Sequence, residues 1–247
     1  MIIYFSATGN CKYLATRIGK EFNQEIFSMV DLMREAKFDF QEDEIGIISP
    51  TYNWGLPSLV KEFLEKIDVR AKYLYFISTY GTTPGASDVM AKRTLSGKKI
   101  NAFYSVKMAD TWTPIFDLST EEKLERFTKN TEKEIDTLIE RIRNREENKK
   151  MSPRMPVFLV DLFAQPLYNS WTRKTSNFHV EDSCIGCGLC QKKCPIAAIK
   201  LENERPVWVK EKCVACLGCL HRCPKFSIQY GKHTKKHGQY PNPHVRV

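Results

Sequence analysis

The sequence lacks an apolar run long enough to cross a bilayer. Its longest candidate, PVFLVDLFAQPLY at 156–168, is interrupted by Asp161 and Pro166, whereas a span needs about 20 apolar residues. Met1–Phe5 is too short for a secretory h-region and has no basic flank, so a cytoplasmic protein is expected. Two phosphate-binding signatures are also missing. No GxxxxGK[ST] and no GxGxxG follows a strand-like run, which argues against nucleoside triphosphates and dinucleotides. Acidic residues are scarce after position 150, where 15 Lys+Arg face 6 Asp+Glu; residues 1–150 carry 23 of each. A basic surface suggests nucleic acid, but no module with interleaved aromatic and basic residues is visible, so nucleic acid is not expected.

Cysteine is plentiful but badly placed for a disulfide framework. Of nine, one is Cys11 and eight lie between 184 and 223. In a reducing compartment such cysteines read first as metal ligands or catalysts.

Residues 1–150 alternate strand and helix signals. Strand-like runs stand at 1–5, 25–29, 44–50, 73–79 and 100–106. Helical patterns stand at 12–22, 58–67 and 87–95, followed by one long helix entered through a Ser119/Glu122 capping box. The stretch 24–43 is the least clear. Five apolar strands separated by helices predict an α/β domain whose parallel sheet is covered on both faces. Ligands of such sheets bind beyond the C-terminal ends of the strands. There the sequence places SATGNC (6–11), TYNWGLP (51–57) and YGTTPGAS (80–87). Hydroxyls and backbone N–H groups at a helix N-terminus suit a phosphate monoester. Tyr52 and Trp54 offer flat apolar surface to a ring system; Tyr80 and Trp112 are weaker candidates.

The loop Ser6-Ala7-Thr8-Gly9-Asn10-Cys11 resembles the phosphate motif of the flavodoxin family, T/S-x-T-G-x-T. The resemblance covers about residues 1–148. It implies a flavodoxin-like, doubly wound five-stranded sheet that binds FMN. The phosphate would lie on Ser6, Thr8, Gly9, Asn10 and Cys11. The flavin ring would lie beside Thr51, Tyr52, Asn53, Trp54 and Gly55, and beside Thr79, Tyr80, Gly81 and Gly85. Cys11 departs from the family's Thr or Ser. A thiol is the weaker donor and at a helix N-terminus can be reactive, yet a free Cys behaves most often as a small packed hydrophobe.

CIGCGLCQKKCP (184–195) and CVACLGCLHRCP (213–224) each read C-x2-C-x2-C-x3-C-P, the run of bacterial ferredoxins. Zinc would call for paired C-x2-C units feeding tetrahedral sites. The resemblance implies two [4Fe–4S] clusters with crossed fourth ligands. One takes Cys184, Cys187, Cys190 and Cys223; the other takes Cys213, Cys216, Cys219 and Cys194. Two such oxidised clusters would contribute about −4, so the basic excess is partly internal compensation.

Four segments are expected: a flavodoxin-like domain (1–150), an apolar linker helix (151–178), a small α+β two-cluster domain (179–230) and a basic tail (231–247). In the linker, Phe158, Leu159, Leu162, Phe163, Leu167 and Trp171 form a helical stripe expected to pack between the domains. The tail reads as a solvated segment, or as a docking arm for an acidic redox partner. The chain as a whole resembles flavodoxin–ferredoxin fusion proteins of anaerobic microbes. That resemblance implies an electron-transfer protein serving a redox partner such as a reductase, hydrogenase or terminal reductase. The alternative is an FMN-dependent reductase of a small quinone-like, nitro or enone substrate, although no catalytic proton donor stands out.

Overall fold

The computed structural model describes residues 1–151 and 155–247; the start of the expected linker, 152–154, lies outside the described residues. The chain divides into two compact units that do not follow chain order. The first comprises Met1–Ser6, Asn10–Ala109 and Phe127–Pro166; the second comprises Ala7–Gly9, Asp110–Arg126 and Leu167–Val247.

In the first unit, apolar runs become strands: β1 (Ile2–Tyr4), β2 (Ile26–Ser28), β3 (Asp39–Pro50), β4 (Asp68–Tyr80) and β5 (Ala102–Lys107). They pair in the order β2-β1-β3-β4-β5, all parallel. This is the flavodoxin-like sheet. The helices α1 (Asn10–Phe22), α2 (Met29–Arg34), α3 (Ser58–Lys66) and α4 (Ser87–Thr94) connect them. Burial explains the periods. Leu14, Ala15 and Ile18 of α1 pack with Ile2, Ile48 and Ile77 of the sheet, while both faces of the strands are apolar because both are covered.

Two local readings are corrected, the first and third below, and the unclear stretch is resolved. First, β3 and β4 begin earlier than their apolar runs, pairing from Asp39↔Asp68 onward. Their polar extension is laced by Arg70, which pairs with Asp39 and Asp68, and by Lys72 with Asp43. Second, the region 24–43 contains the short α2, which buries Met29 and Leu32. Third, the long closing helix is two: α5 (Glu121–Thr128) and α6 (Thr131–Arg143). The start of α6 is fixed by the end of β5. Thr131 Oγ1 donates to the Lys107 carbonyl at 2.8 Å, and Glu134 Oε2 accepts the Lys107 N–H at 2.8 Å. The cap moves one residue on from Ser119: Thr120 Oγ1 accepts the Lys123 N–H at 3.4 Å.

In the second unit, β6 (Phe178–Val180) pairs antiparallel with β9 (Ile228–Tyr230), and β7 (Ile199–Glu202) with β8 (Arg205–Trp208). Phe178 stacks on Trp208 and meets Tyr230 edge-on, both at 4.9 Å. The tail is not a free solvated segment. Thr234, Tyr240 and Asn242 are buried, and His237 Nδ1 is 2.7 Å from the Thr113 carbonyl. Lys232, Lys235 and Lys236 remain exposed.

The expected linker helix forms over 157–172 but holds two π turns, Val160–Ala164 and Tyr168–Thr172. Pro166 lacks an N–H to donate, a common cause of such irregularity. Its packing corrects the expected stripe: Phe158, Leu162, Phe163, Leu167 and Trp171 are all more than half exposed. The buried side chains are Val160 and Ala164, which join Ala86 in the first unit, and Tyr168, whose hydroxyl donates to the Val214 carbonyl at 2.7 Å in the second. No helix among the described residues is long and apolar enough to cross a membrane.

Candidate functional site: a flavin cradle and two cysteine-lined hollows

In the first unit the ends of β3 and β4 place two of the expected loops side by side. Tyr52 and Gly55 exchange both backbone hydrogen bonds, at 2.9 and 3.0 Å. The two residues between them, Asn53 and Trp54, have φ +44° and +60°. That is the backbone of a tight primed turn, which favours Asn at its first position; Trp54 in the left-handed region carries a strain of about 1–2 kcal/mol. The strain is held by neighbours. The Trp54 carbonyl accepts the Ala86 N–H at 2.8 Å, and Gln165 Nε2 donates to the carbonyls of Tyr52 and Asn53 at 3.3 and 3.1 Å. The result presents the Trp54 side chain, 39% exposed, from a fixed turn. Thr51 Oγ1 lies 2.8 Å from Ser78 Oγ, and the Thr51 N–H donates to the Thr79 carbonyl at 2.9 Å. Tyr80 and Gly81 are half-buried at the end of β4. Gly85 N–H donates to Thr83 Oγ1 at 3.1 Å.

Of the phosphate-loop residues, Ser6, Asn10 and Cys11 belong to the first unit. Asn10 Nδ2 donates to the Ala109 carbonyl at 3.0 Å. Cys11 is 1% exposed with Sγ 3.1 Å from Thr79 Oγ1. Burial pushes its thiol up to about 12, against the opposing pull of the Thr79 hydrogen bond. Cys11 is thus a packed core residue whose burial disfavours the thiolate. Thr8 and Gly9 belong to the second unit, where Thr8 Oγ1 lies 3.5 Å from Thr111 Oγ1.

The second unit brings the eight clustered cysteines together in two sets. One hollow is lined by Cys184, Cys187, Cys190 and Cys223. A second is lined by Cys194, Cys213, Cys216 and Cys219. Each takes its fourth thiol from the other run. The two runs also share backbone geometry. Gly186 and Gly188 have φ +64° and +73°; the matching positions of the second run, Ala215 and Leu217, have +56° and +51°. Ala197 and Phe226, each three residues past the fourth Cys of its run, have +49° and +50°. These turns aim N–H groups at sulfur: Ala198 to Cys194 at 3.2 Å, Ala215 to Cys213 at 3.2 Å and Ser227 to Cys223 at 3.3 Å.

Burial pushes the Cys213 thiol up to about 12 and Cys219 well above its ordinary value. In this second hollow burial disfavours the thiolates of Cys213 and Cys219, and a cation beside them, such as cluster iron, would offset that cost. Among the described residues no three Cys, His, Asp or Glu side chains are close enough to hold one metal ion. In a cubane each thiolate binds a different iron at its own corner, so the sulfurs stand farther apart than the ligands of one zinc. Four thiols around each hollow are the donor set that a [4Fe–4S] group takes, so the residues fit one in each. For the flavin, an exposed indole on a fixed turn, a close Gly85 and the hydroxyls before α1 fit FMN.

Several supporting residues carry no sequence signal. Gln165, which holds the Trp54 turn, sits inside an apolar run. His221, 2% exposed, looks like a surface residue of the second cysteine run; burial pushes its imidazolium down to about 4. Asp110 is pushed up to about 6 by burial, opposed by the Trp112 N–H it accepts.

A flavodoxin domain model matches residues 1–137, and a 4Fe-4S dicluster domain model matches residues 177–224. Comparison with curated proteins gives no match. Among solved structures, the chain is similar to a flavoprotein in complex with FMN from Lactobacillus acidophilus NCFM, at 18% identity, covering 42% of this chain and 90% of that one with a TM-score of 0.33. It is similar to the two-electron reduced flavodoxin of Megasphaera elsdenii, at 19% identity, covering 43% and 85% with a TM-score of 0.30. It is also similar to rubredoxin oxygen:oxidoreductase from the anaerobe Desulfovibrio gigas, at 15% identity, covering 58% of this chain and 36% of that one with a TM-score of 0.35.

Proposed function

The chain belongs to the flavodoxin domain family and carries a 4Fe-4S dicluster domain, and from that premise we propose that it passes electrons between two [4Fe–4S] clusters and FMN, and to or from a redox partner protein. We read residues 1–150 as the flavin domain and 179–230 as the cluster domain. Bound FMN exchanges one or two electrons and each cluster exchanges one, so the chain couples single-electron and paired-electron carriers.

The protein's residues hold and tune these groups. Cys184, Cys187, Cys190 and Cys223 ligate one cluster; Cys213, Cys216, Cys219 and Cys194 ligate the other. The N–H groups of Ala198, Ala215 and Ser227 donate to ligand sulfurs, which stabilises the added negative charge of a reduced cluster and raises its potential. Ser6, Thr8, Gly9 and Asn10 receive the phosphate, with Cys11 limited to its backbone N–H. Thr51–Gly55 and the segment Thr79–Gly85 border the ring.

The observation that carries this reading is the crossed lining of the two hollows. Crossing forces both clusters into one unit, where electron exchange between them is intramolecular. The test is anaerobic reduction of the loaded full-length protein by a one-electron donor. The expected rate of flavin reduction is independent of protein concentration. A rate that rises with protein concentration, as for two separate carriers limited by encounter, would overturn the reading.

A further inference from the structure

The apex of the phosphate loop is held from one side by the chain's C-terminal segment. Asn242, 4% exposed, donates its backbone N–H to the Thr8 carbonyl at 2.6 Å. The approach is tight. Gly9 has φ +105°, and a Cβ built there would stand 2.6 Å from Asn242 Cβ and 3.1 Å from methyl groups of Val245 and Val247. Asn242 Oδ1 accepts the His244 N–H at 3.0 Å, a local turn that brings the last residues back over Gly9.

This segment is anchored to the second cysteine run. Gln239 Nε2 donates to the carbonyls of Leu220 and Cys223, at 2.6 and 2.9 Å. The Tyr240 N–H donates to His221 Nδ1 at 3.1 Å. Since Nδ1 is the acceptor, Nε2 carries the hydrogen of the neutral ring, and it donates to the Thr111 carbonyl at 2.8 Å. Thr111 in turn meets Thr8 through their hydroxyls. All these residues belong to one compact unit.

The consequence for the loop follows from peptide geometry. In a trans peptide the C=O and the N–H point in opposite directions. The carbonyl of Thr8 and the N–H of Gly9 share one peptide. With that carbonyl fixed on Asn242, the Gly9 N–H points away from the Asn242 N–H. A carbonyl turned the other way would present negative charge to a phosphate.

We propose that residues 240–247 are a positioning strap for the FMN phosphate: they fix the Thr8–Gly9 peptide with its N–H toward the anion and anchor it, through His221 and Gln239, to the second cysteine run. The proposal rests on the FMN reading of the loop. Asn242 is its central positioning residue, acting through Thr8 and Gly9. The strap offsets a missing side-chain donor, because the Cys11 thiol is committed to Thr79 in the core.

The test compares FMN with riboflavin, which has the same ring and no phosphate. Both are titrated into cluster-loaded full-length protein, into Asn242→Pro, which lacks the strap's N–H, and into a truncation ending at Gln239. Iron content and melting temperature report whether each variant is folded. The expected result is FMN affinity lower by about tenfold in Asn242→Pro, equivalent to about 1.4 kcal/mol and in the range of one net hydrogen bond. The truncation should lose at least as much, and riboflavin affinity should stay within about twofold in both. If the truncation loses iron, Asn242→Pro decides. Unchanged FMN affinity, or equal losses for FMN and riboflavin, overturns the strap. Wild-type protein that binds FMN no better than riboflavin overturns the phosphate reading of the loop, and the strap with it.

Discussion

A Cβ built on Gly85 would stand 1.9 Å from the carbonyl oxygen of Trp54. The contact is backbone to backbone, so no side-chain rotation relieves it. Gly85 also has φ +63°, in the region where a side chain adds about 1–2 kcal/mol of strain. Gly85→Ala therefore forces the Trp54 turn to move. The expected loss is about 2 kcal/mol or more in urea unfolding, with weaker flavin binding. Wild-type stability in this variant would show that the turn is free to shift.

Trp54→Ala should weaken FMN and riboflavin equally, by about 1–2 kcal/mol, because the indole meets the ring and not the phosphate. Titration of both flavins by fluorescence checks this. Loss for FMN alone would place Trp54 away from the ring. The contrast with Asn242→Pro separates the two ends of the site.

Cys223→Ser should remove the cluster lined by Cys184, Cys187 and Cys190, although Cys223 lies in the other run. Iron should fall from about eight to about four atoms per chain. Retention of all the iron would mean that the fourth ligand is not crossed.

Asp110 supplies a pH dependence. Burial raises its carboxyl from 3.8 to about 6 in the folded protein. The folded state holds the proton more tightly than the unfolded one, so the associated stability is full below pH 3.8 and lost as pH rises through about 6. Above that, a charged carboxylate is retained at a cost. Asp110→Asn keeps an acceptor for the Trp112 N–H and should gain about 1–3 kcal/mol near pH 8, with little gain near pH 3. Urea unfolding at both values measures it. An equal gain at both would assign the effect to packing.

The alternation of apolar runs determined the parallel sheet, because each strand's signal resides in its own few residues and both faces must be covered. The resemblance of the two cysteine runs to those of bacterial ferredoxins likewise implies two crossed four-thiolate sets, and the same sets line the two hollows; the hydroxyls of the SATGNC loop predict an anion site at the start of α1. What the sequence left open was decided by partners distant along the chain. The polar starts of β3 and β4 are strands because each pairs with the other. Ala215 and Leu217 take left-handed backbone where the first run has glycine, because the fold around the cysteines repeats even where the residue type does not. Over 157–172 the largest apolar side chains are exposed, and Val160, Ala164 and Tyr168 are buried instead. Hydrophobicity alone does not say which face meets a neighbour when π turns alter the helical period. The basic tail reads locally as solvated, with prolines on both sides of Asn242. It folds because its N–H groups find acceptors on Thr8 and His221, and no local pattern encodes a hydrogen bond between the two ends of a chain.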